Sequence, residues 1–264
     1  MNVWQQLAIL GAAMVALMSA GWEWQRRRRN AGIVDVIWSA GVGLGALWCA
    51  ASGTGAPAPR VALALLGGVW ATRLGLHIAG RVRTEKEDGR YSHLREHWHD
   101  HQGKFYGFFL FQAALVVLFS LPFVAVARVP ESRPLALMLG CMIWIIAVVG
   151  ETIADRQLAR FRTDPANHGR TCRDGLWGRS RHPNYFFEWL HWFAYVALAW
   201  GSPLWWVSLT GPLVMYVFLR WVSGIPFTEA QALRSRGEDY RTYQRDTPLL
   251  FPRLSKSKPQ RISQ

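Results

Sequence analysis

The chain has 264 residues, of which 51% belong to the hydrophobic set, and it carries a formal net charge of +13. Its mean hydropathy of +0.05 averages long uncharged apolar stretches with short arginine-rich loops. Stretches of this kind are what a helix needs to cross a bilayer, so the composition excludes a water-soluble globular protein and predicts an integral membrane protein. Because the arginines lie between apolar stretches, anionic lipid headgroups account for them and nucleic acid is not a predicted partner.

Seven apolar stretches follow one another and predict an all-α membrane fold with seven transmembrane helices. They cover residues 4–22, 31–51, 60–80, 105–126, 135–154, 184–201 and 203–223. The first is followed by Arg26–Arg29 rather than by a small-residue cleavage site, which predicts a retained span and not a signal peptide. Residues 1–254 are predicted to form a single domain, and 255–264 a disordered polar tail.

The basic residues predict the orientation of these spans. Of the 30 Lys and Arg residues, 25 lie in four segments, namely 23–30, 81–104, 155–183 and 224–264. With seven spans, all four segments fall on the same side of the membrane. The positive-inside rule makes that side cytoplasmic, so the N-terminus is predicted outside and the C-terminus inside.

Ionisable residues within predicted spans are expensive and mark candidate sites. Asp35 lies in the second span, Arg73 and His77 lie in the third, and Glu151 ends the fifth. A long basic side chain near an interface also snorkels to water, which is the alternative explanation for Arg73 and His77. Since these groups lie near cytoplasmic ends, they are predicted to line a cavity that opens to the cytoplasm.

The sixth span begins with "GRSRHPNYFFEWLHW" and carries a polar helix face. Asn184, Glu188, His191 and Tyr195 are spaced i, i+4, i+7 and i+11, and Pro183 suits the first turn. The basic groups just before the helix are Arg179, Arg181 and His182. A helix N-terminus with such neighbours predicts an anion site, and a basic collar at lipid headgroups is the alternative.

A second polar set precedes it in "ETIADRQLARFRTDPANHGRTCRDGLW". Glu151, Asp155 and Arg162 are spaced i, i+4 and i+11 if the fifth helix continues beyond the membrane surface, and Arg170 follows in a loop. Arginine grips phosphate while carboxylates accept from hydroxyls, so the set suits a ligand with both phosphates and sugars. The chain has neither the Rossmann nor the P-loop glycine motif.

The stretch "YSHLREHWHDH" places His93 and His97 at metal-binding spacing. A lone histidine box does not make a membrane di-iron site, so no metal is predicted, and the stretch is expected to be a cytoplasmic loop. The three cysteines show no disulfide framework and no CxxC site.

Several motifs together resemble the steroid 5-alpha-reductase superfamily, in its bacterial branch catalogued as a domain of unknown function (DUF1295-like). They are "DVIWSAG", "ARFRTDPANHGRTCRDGLWGRSRHPNYFFEW", "LRWVSGIPFTE" and "GEDYRTYQRDTPLLFP". The resemblance covers residues 31–252. It implies a multi-pass protein of the bacterial inner membrane with a seven-helix fold, in which NADPH donates hydride to the β-carbon of an α,β-unsaturated carbonyl.

By position, the resemblance also implies the cofactor-binding residues. They are Asp155, Arg162, Arg170, Asn184 and Glu188, with Arg181, His182, Tyr185 and Tyr240 as weaker matches. The substrate is expected to be an apolar molecule from the bilayer, such as a steroid-like, isoprenoid or enoyl compound.

The chain departs from the family at the catalytic pair. The resemblance implies a glutamate and a tyrosine from the second and third spans that polarise the substrate carbonyl, but residues 60–80 contain no tyrosine and the second span offers Asp35. The site still needs a group that hydrogen-bonds a developing enolate, and an acid, a protonated histidine or an arginine each suits that role. The candidates are Asp35, Arg73 and His77.

Two other functions stay open on the sequence. Membrane methyltransferases that act on isoprenylcysteine or phospholipid also use an RHP-Tyr-like turn before a helix with a glutamate, and there it holds S-adenosylmethionine. That methyl donor has no phosphates, so it gives less reason for Asp155, Arg162, Arg170 and Asn184. A transporter or structural membrane protein is the non-enzymatic alternative, although no inverted repeat with broken helices is present.

Overall fold

A computed structural model describes residues 1–84 and 86–253 of the chain. Within these residues the secondary structure is entirely helical. The ten α-helices are α1 Val3–Arg28, α2 Ile33–Ser52, α3 Pro57–Thr84, α4 Gly89–His97, α5 Gln102–Phe119, α6 Leu121–Val126, α7 Pro134–Thr163, α8 Pro183–Leu198, α9 Thr210–Val217 and α10 Ile225–Asp246. Short 3-10 turns and a π-helical turn at Phe218–Val222 join some of them.

Six helical segments of the described chain are long and apolar enough to cross a membrane. They are Val3–Arg28, Ile33–Ser52, Pro57–Thr84, Gln102–Val126, Pro134–Thr163 and Trp205–Asp246. The prediction of an all-α, multi-pass membrane protein is therefore confirmed. The sixth predicted span corresponds to α8, whose 16 residues extend about 24 Å at 1.5 Å per residue, so the count of seven and the orientation stay predictions.

The contacts of the chain divide it into two compact units. Unit one contains Met1–Cys141 with Ala194–Gly211, and unit two contains Met142–Phe193 with Pro212–Gln264, of which residues up to 253 are described. Helices α7 and α8 each contribute to both units. The single domain over 1–254 stays a prediction, and the predicted tail over 255–264 lies outside the described residues.

In unit one, α2 packs closely on its neighbours because its glycines remove side-chain bulk. A Cβ placed on Gly43 would lie 2.4 Å from the Cβ of Ala71 in α3, and one on Gly41 would lie 2.5 Å from the terminal methyl of Met14 in α1. Small residues let helix backbones approach in this way, which is the packing role that "GVGLG" indicates. A larger residue at Gly43 has no room against α3.

The fourth predicted span is interrupted near its end. Helix α5 stops at Phe119, and α6 starts at Leu121 with Pro122 in its first turn, where the missing N–H is tolerated. The hydroxyl of Ser120 donates to the carbonyl of Val116 at 2.8 Å, which satisfies a carbonyl at the break. The apolar segment therefore runs through 102–126 as two helices rather than one.

Charged pairs fix α4 and its loop to the ends of other helices in unit one. Arg95 lies 2.8 Å from Oε1 of Glu87 and 2.5 Å from Oδ1 of Asp100. Asp100 also pairs with Arg29, which directly follows α1, and Glu87 accepts the backbone N–H of Ala31 at 2.7 Å. The histidine-rich stretch therefore has a defined position close to the starts of α2 and α5.

In unit two, α7 continues to Thr163, as the spacing of its polar residues predicts. Helix α8 begins at Pro183, as predicted. The turn before it pairs with the end of the chain: Arg181 N–H donates to the carbonyl of Pro248 at 2.9 Å, and Arg253 N–H donates to the carbonyl of Arg179 at 3.0 Å.

Helix α10 follows the last apolar segment and has a break inside it. Gly237 has φ 53° and ψ −121°, outside the helical region, so the helix changes direction directly after Arg236. Positive φ is readily reached only by glycine, which explains the residue at this position. The helix carries many charged side chains from Glu229 onward, and we place its charged part outside the membrane.

Candidate functional site

The start of α8 carries the polar residues that the sequence analysis placed around a ligand. Nδ2 of Asn184 donates to Oδ1 of Asp155 in α7 at 3.3 Å, while Oδ1 of Asn184 accepts the backbone N–H of Tyr185 at 3.0 Å. The structure thus brings together two predicted cofactor ligands that are 29 residues apart in sequence. The side chain of Asp155 is exposed, so it is accessible to a polar ligand.

The remaining predicted acceptors and cations lie on the same unit. Glu188 is one turn beyond Asn184 in α8 and is partly buried, and Glu151 is one turn before Asp155 in α7. Arg162, near the end of α7, and Arg170, in the following loop, are both exposed.

The loop between α7 and α8 is held against α7 by three contacts. Gln157 Oε1 accepts the backbone N–H of Leu176 at 2.9 Å, and the indole N–H of Trp177 donates to the carbonyl of Ala154 at 2.9 Å. Asn167 Nδ2 donates to a carbonyl near the end of the helix at 3.0 Å. The bond from Asn167 satisfies a carbonyl in the last turn of α7, and the three bonds together fix the loop on which Arg170 lies.

One carboxylate, that of Glu229 in α10, joins the turn before α8 to α10. Its Oε1 lies 2.8 Å from Nε of Arg181 and 3.3 Å from Nε2 of His182. The hydroxyl of Tyr240 donates to the same oxygen at 3.3 Å, and Nε2 of Gln244 donates to Oε2 at 2.9 Å. Three predicted cofactor ligands therefore hold Glu229, and their contact with a cofactor stays a prediction.

Burial and hydrogen bonding set the ionisation of this group. Burial lowers the pKa of His182 and outweighs the opposing effect of Glu229, so the imidazole is neutral at pH 7. Burial favours the neutral acid at Glu229, but the hydrogen bond with His182 and the charge of Arg181 outweigh it and lower the pKa of that carboxyl. The ion pair at neutral pH is therefore between Glu229 and Arg181.

Tyr185, another predicted cofactor ligand, makes one contact through its ring face and one through its hydroxyl. Its ring stacks on His182 with centroids 5.4 Å apart and an angle of 9° between planes. Its hydroxyl lies 3.1 Å from Oγ1 of Thr228 in α10. These contacts make Tyr185 part of the same polar turn.

Glu229 was not among the predicted site residues, although it ends the motif "LRWVSGIPFTE". The sequence indicates a distant partner for Glu229 in one way only: this acid lies in a helix and has no lysine or arginine three or four residues away. Its partners lie 47 and 48 positions earlier in the chain. Only the fold brings them within hydrogen-bond distance.

In unit one, Asp35 forms a pair with a tyrosine that the sequence analysis missed. The hydroxyl of Tyr91 in α4 donates to Oδ1 of Asp35 at 2.8 Å, and Nη2 of Arg90 lies 3.1 Å from Oδ2. Arg90 also lies 3.1 Å from Oδ1 of Asp88, the residue that caps α4. A carboxylate and tyrosine pair is thus present, with the tyrosine supplied by α4 instead of the third span.

The surroundings of Tyr91 keep its phenol protonated. Burial, and after it the negative charge of Asp35, raise the pKa of Tyr91 well above its usual value. Burial opposes ionisation of Asp88, but the backbone and side-chain hydrogen bonds from Arg90 prevail and lower the pKa of that carboxyl. Tyr91 is therefore a hydrogen-bond donor across the physiological range.

The other two catalytic candidates lie on α3. Arg73 is partly buried and His77, one turn later, is exposed. Their roles in catalysis stay predictions.

The histidine stretch does not assemble a metal site in the described part of the chain. The rings of His93 and His97 stack with centroids 6.4 Å apart, and both side chains are exposed. Among the described residues, no group of three or more His, Cys, Asp or Glu side chains is arranged to hold a metal ion.

Comparison with known proteins identifies one match. A family model described as "Protein of unknown function (DUF1295)" matches residues 21–247. No curated protein matches the chain, and no solved structure does. Every residue predicted to take part in catalysis or cofactor binding lies within the matched range.

Proposed function

The chain belongs to the family described as protein of unknown function (DUF1295), and from that premise we propose that it is a membrane-embedded NADPH-dependent reductase. Its substrate is an apolar α,β-unsaturated carbonyl compound taken from the bilayer, and its location is the bacterial inner membrane. The observation that carries the proposal is the Asp35–Tyr91 pair. It supplies the carboxylate and phenol that the resemblance to the steroid 5-alpha-reductase superfamily implies.

The residues of unit two fit NADPH by their chemistry. Arg162 and Arg170 are exposed and form no ion pair with a carboxylate of the described chain, so their guanidinium groups are available to phosphate. Asp155 and Asn184 offer acceptors and donors suited to sugar hydroxyls and amides. NADPH, when bound, supplies a hydride to the substrate β-carbon.

Reduction of an enone places negative charge on the carbonyl oxygen as hydride reaches the β-carbon. The phenol O–H of Tyr91 is the group suited to stabilise that charge, since it rotates about its C–O bond from Asp35 to a new acceptor. Asp35 stays held by Arg90, which neutralises its charge. Protonation of the enolate at its α-carbon, with a proton taken from solvent, completes the saturated carbonyl.

The same pair favours reduction over methyl transfer. Methyl transfer to a thiol or an amine requires removal of a proton from the acceptor, and a phenol with a raised pKa is a poor base for that purpose. Phosphate-binding arginines also have no counterpart in S-adenosylmethionine. The methyltransferase alternative therefore leaves both sets of residues without a role.

Cofactor binding tests the proposal directly. Purified protein in nanodiscs is titrated with NADPH and, separately, with labelled S-adenosylmethionine, and NADPH oxidation is followed with a panel of enone lipids. Binding of NADPH with substrate-dependent oxidation is the expected result. Binding of S-adenosylmethionine without NADPH would overturn the reductase.

A matched variant shows whether turnover belongs to this protein. Glu188→Gln removes a predicted cofactor ligand of α8 and is expected to lower NADPH-dependent turnover, whereas Glu131→Gln changes an exposed acid between α6 and α7 and should leave it unchanged. Turnover that is equal in both variants would contradict the role proposed for Glu188.

A further inference from the structure

Three arginines of unit two come from different segments and share one property. Within residues 1–84 and 86–253, none of them forms an ion pair with a carboxylate. They are Arg162 near the end of α7, Arg170 in the loop and Arg236 in α10. The neighbouring arginines Arg173 and Arg181 are instead paired with Asp239 and Glu229.

The nearest acid is already engaged elsewhere. Oδ1 of Asp239 lies 2.9 Å from Nη2 of Arg173, and its Oδ2 accepts the backbone N–H of Thr171 at 2.8 Å. Both carboxylate oxygens of Asp239 therefore bind the loop. Arg236 lies three residues earlier on α10, and its Cζ lies 5.1 Å from the centroid of the Tyr240 ring.

The same contacts bring the three segments together. The loop is bonded to α7 through Gln157 and to α10 through Asp239. Burial, and after it the positive charge of Arg162, lower the pKa of Arg236, whereas Tyr240 opposes the shift. Like charges gathered without an acid are stabilised when an anion binds between them.

A buried hydroxyl at the same place also lacks a partner. Thr171 is only 6% exposed, and its Oγ1 is buried without a hydrogen-bond partner in the described chain. Buried polar groups are almost always satisfied, so an orphan hydroxyl next to Arg170 indicates an absent acceptor. A phosphate oxygen would satisfy both Oγ1 and the guanidinium groups.

We propose that Arg236, together with Arg162 and Thr171, binds the 2′-phosphate of NADPH and makes the protein select NADPH over NADH. The inference rests on the proposed reductase function. A phosphomonoester carries nearly two negative charges at pH 7, whereas each phosphate of the pyrophosphate bridge carries one. A cluster of unpaired guanidinium groups suits the monoester, and the 2′-phosphate is the monoester that distinguishes the two dinucleotides.

The experiment measures the Kd of NADPH and of NADH for the protein in nanodiscs, by calorimetry, in the wild type and two variants. Arg236→Gln is expected to weaken NADPH binding about ten- to hundredfold and to change NADH binding by less than about twofold. Arg234→Gln removes the same charge from an exposed site two residues away and should keep the preference. Wild-type binding of 2′,5′-ADP should likewise exceed that of 5′-AMP.

Each outcome separates the two proposals. A wild type that binds neither dinucleotide overturns the reductase and this inference together. A wild type that binds NADPH, with a preference that survives in Arg236→Gln, overturns the role of Arg236 and leaves the reductase standing. If Arg236→Gln does not fold, Arg236→Lys and Thr171→Val are measured instead, and an unchanged NADPH preference in both would contradict the inference.

Discussion

The phenol oxygen of Tyr91 lies 2.8 Å from Oδ1 of Asp35, although 56 positions separate the two residues in the chain. The contact exists because α4 is fixed by ion pairs of Glu87, Arg95 and Asp100 and not by any apolar span of its own. A charged segment thereby delivers a hydroxyl donor to the start of α2.

The first prediction concerns this pair. Tyr91→Phe keeps the ring but removes the donor, so turnover with an enone substrate should fall by about a hundredfold or more, while the Kd of NADPH changes by less than about twofold. Tyr106→Phe makes the same change at a tyrosine whose hydroxyl lies 3.2 Å from Oγ of Ser19, and it should retain activity. Equal losses in both variants, or a parallel loss of NADPH binding in Tyr91→Phe, would contradict the assigned role.

The second prediction concerns Glu229. Its side chain is 16% exposed and that of its partner Arg181 is 12% exposed, so Glu229→Gln leaves a nearly buried cation without its counter-charge. Breaking such a pair costs about 3 kcal/mol, which lowers the thermal midpoint in detergent by roughly 6–12 °C. Glu238→Gln, on the same helix but 66% exposed, should shift the midpoint by less than about 2 °C. A midpoint that moves equally in both variants would show that Glu229 has no special role.

The third prediction is a loss of stability on acidification. The folded pKa of His182 lies below its ordinary value of 6.5, and that of Glu229 lies below 4.5. Below each ordinary value the unfolded chain binds more protons than the folded one, so stability falls with pH, first below about 6.5 and again below about 4.5. Thermal midpoints measured from pH 8 to pH 4 test the sign.

A histidine control assigns the first of these steps. His182→Gln should remove part of the loss between pH 7 and pH 5, whereas His168→Gln, at an exposed position, should leave the profile unchanged. A wild-type midpoint that rises on acidification would refute the sign.

The fourth prediction tests the close approach of α2 and α3. Gly43→Ala places a methyl 2.4 Å from the Cβ of Ala71, so the helices must separate, at a cost of about 1–3 kcal/mol. Gly80→Ala, on an α3 position with nothing within 4 Å, should be neutral or stabilising by up to about 1 kcal/mol. Thermal unfolding of the two variants in detergent is the measurement, and equal midpoints would show that α2 and α3 adjust freely.

Apolar periodicity predicted much of the fold because each long helix carries its own signal. The predicted spans coincide with α1, α2, α3 and α7 to within a few residues, except where a polar extension lengthens the helix. One such extension includes Arg162 and continues α7 to Thr163. The break at Ser120 was not predicted, because an apolar run hides a change of helix axis. The count of seven depends on α8, which is too short to resemble a full crossing.

The site was predicted less completely, and the reason is physical. Asn184 and Asp155 were grouped correctly because each belongs to a helix with a readable face. Tyr91 and Glu229 were missed because their partners lie far away in the chain, and helical spacing contains no information on such pairs. The search for a tyrosine was limited to the third span, whereas the structure supplies one from the charged segment that follows.

The bonds between the turn before α8 and the end of the chain determine when unit two is completed during synthesis. Ser180 donates to the carbonyl of Leu250, 70 positions later, and Arg181 receives its counter-charge from Glu229. A nascent chain can form its early helices in order, since α1 and α2 pack on each other directly, but the start of α8 acquires its partners only after α10 has left the ribosome. A protein truncated before Pro248 would therefore retain its apolar helices and lack the backbone bonds that hold the turn before α8.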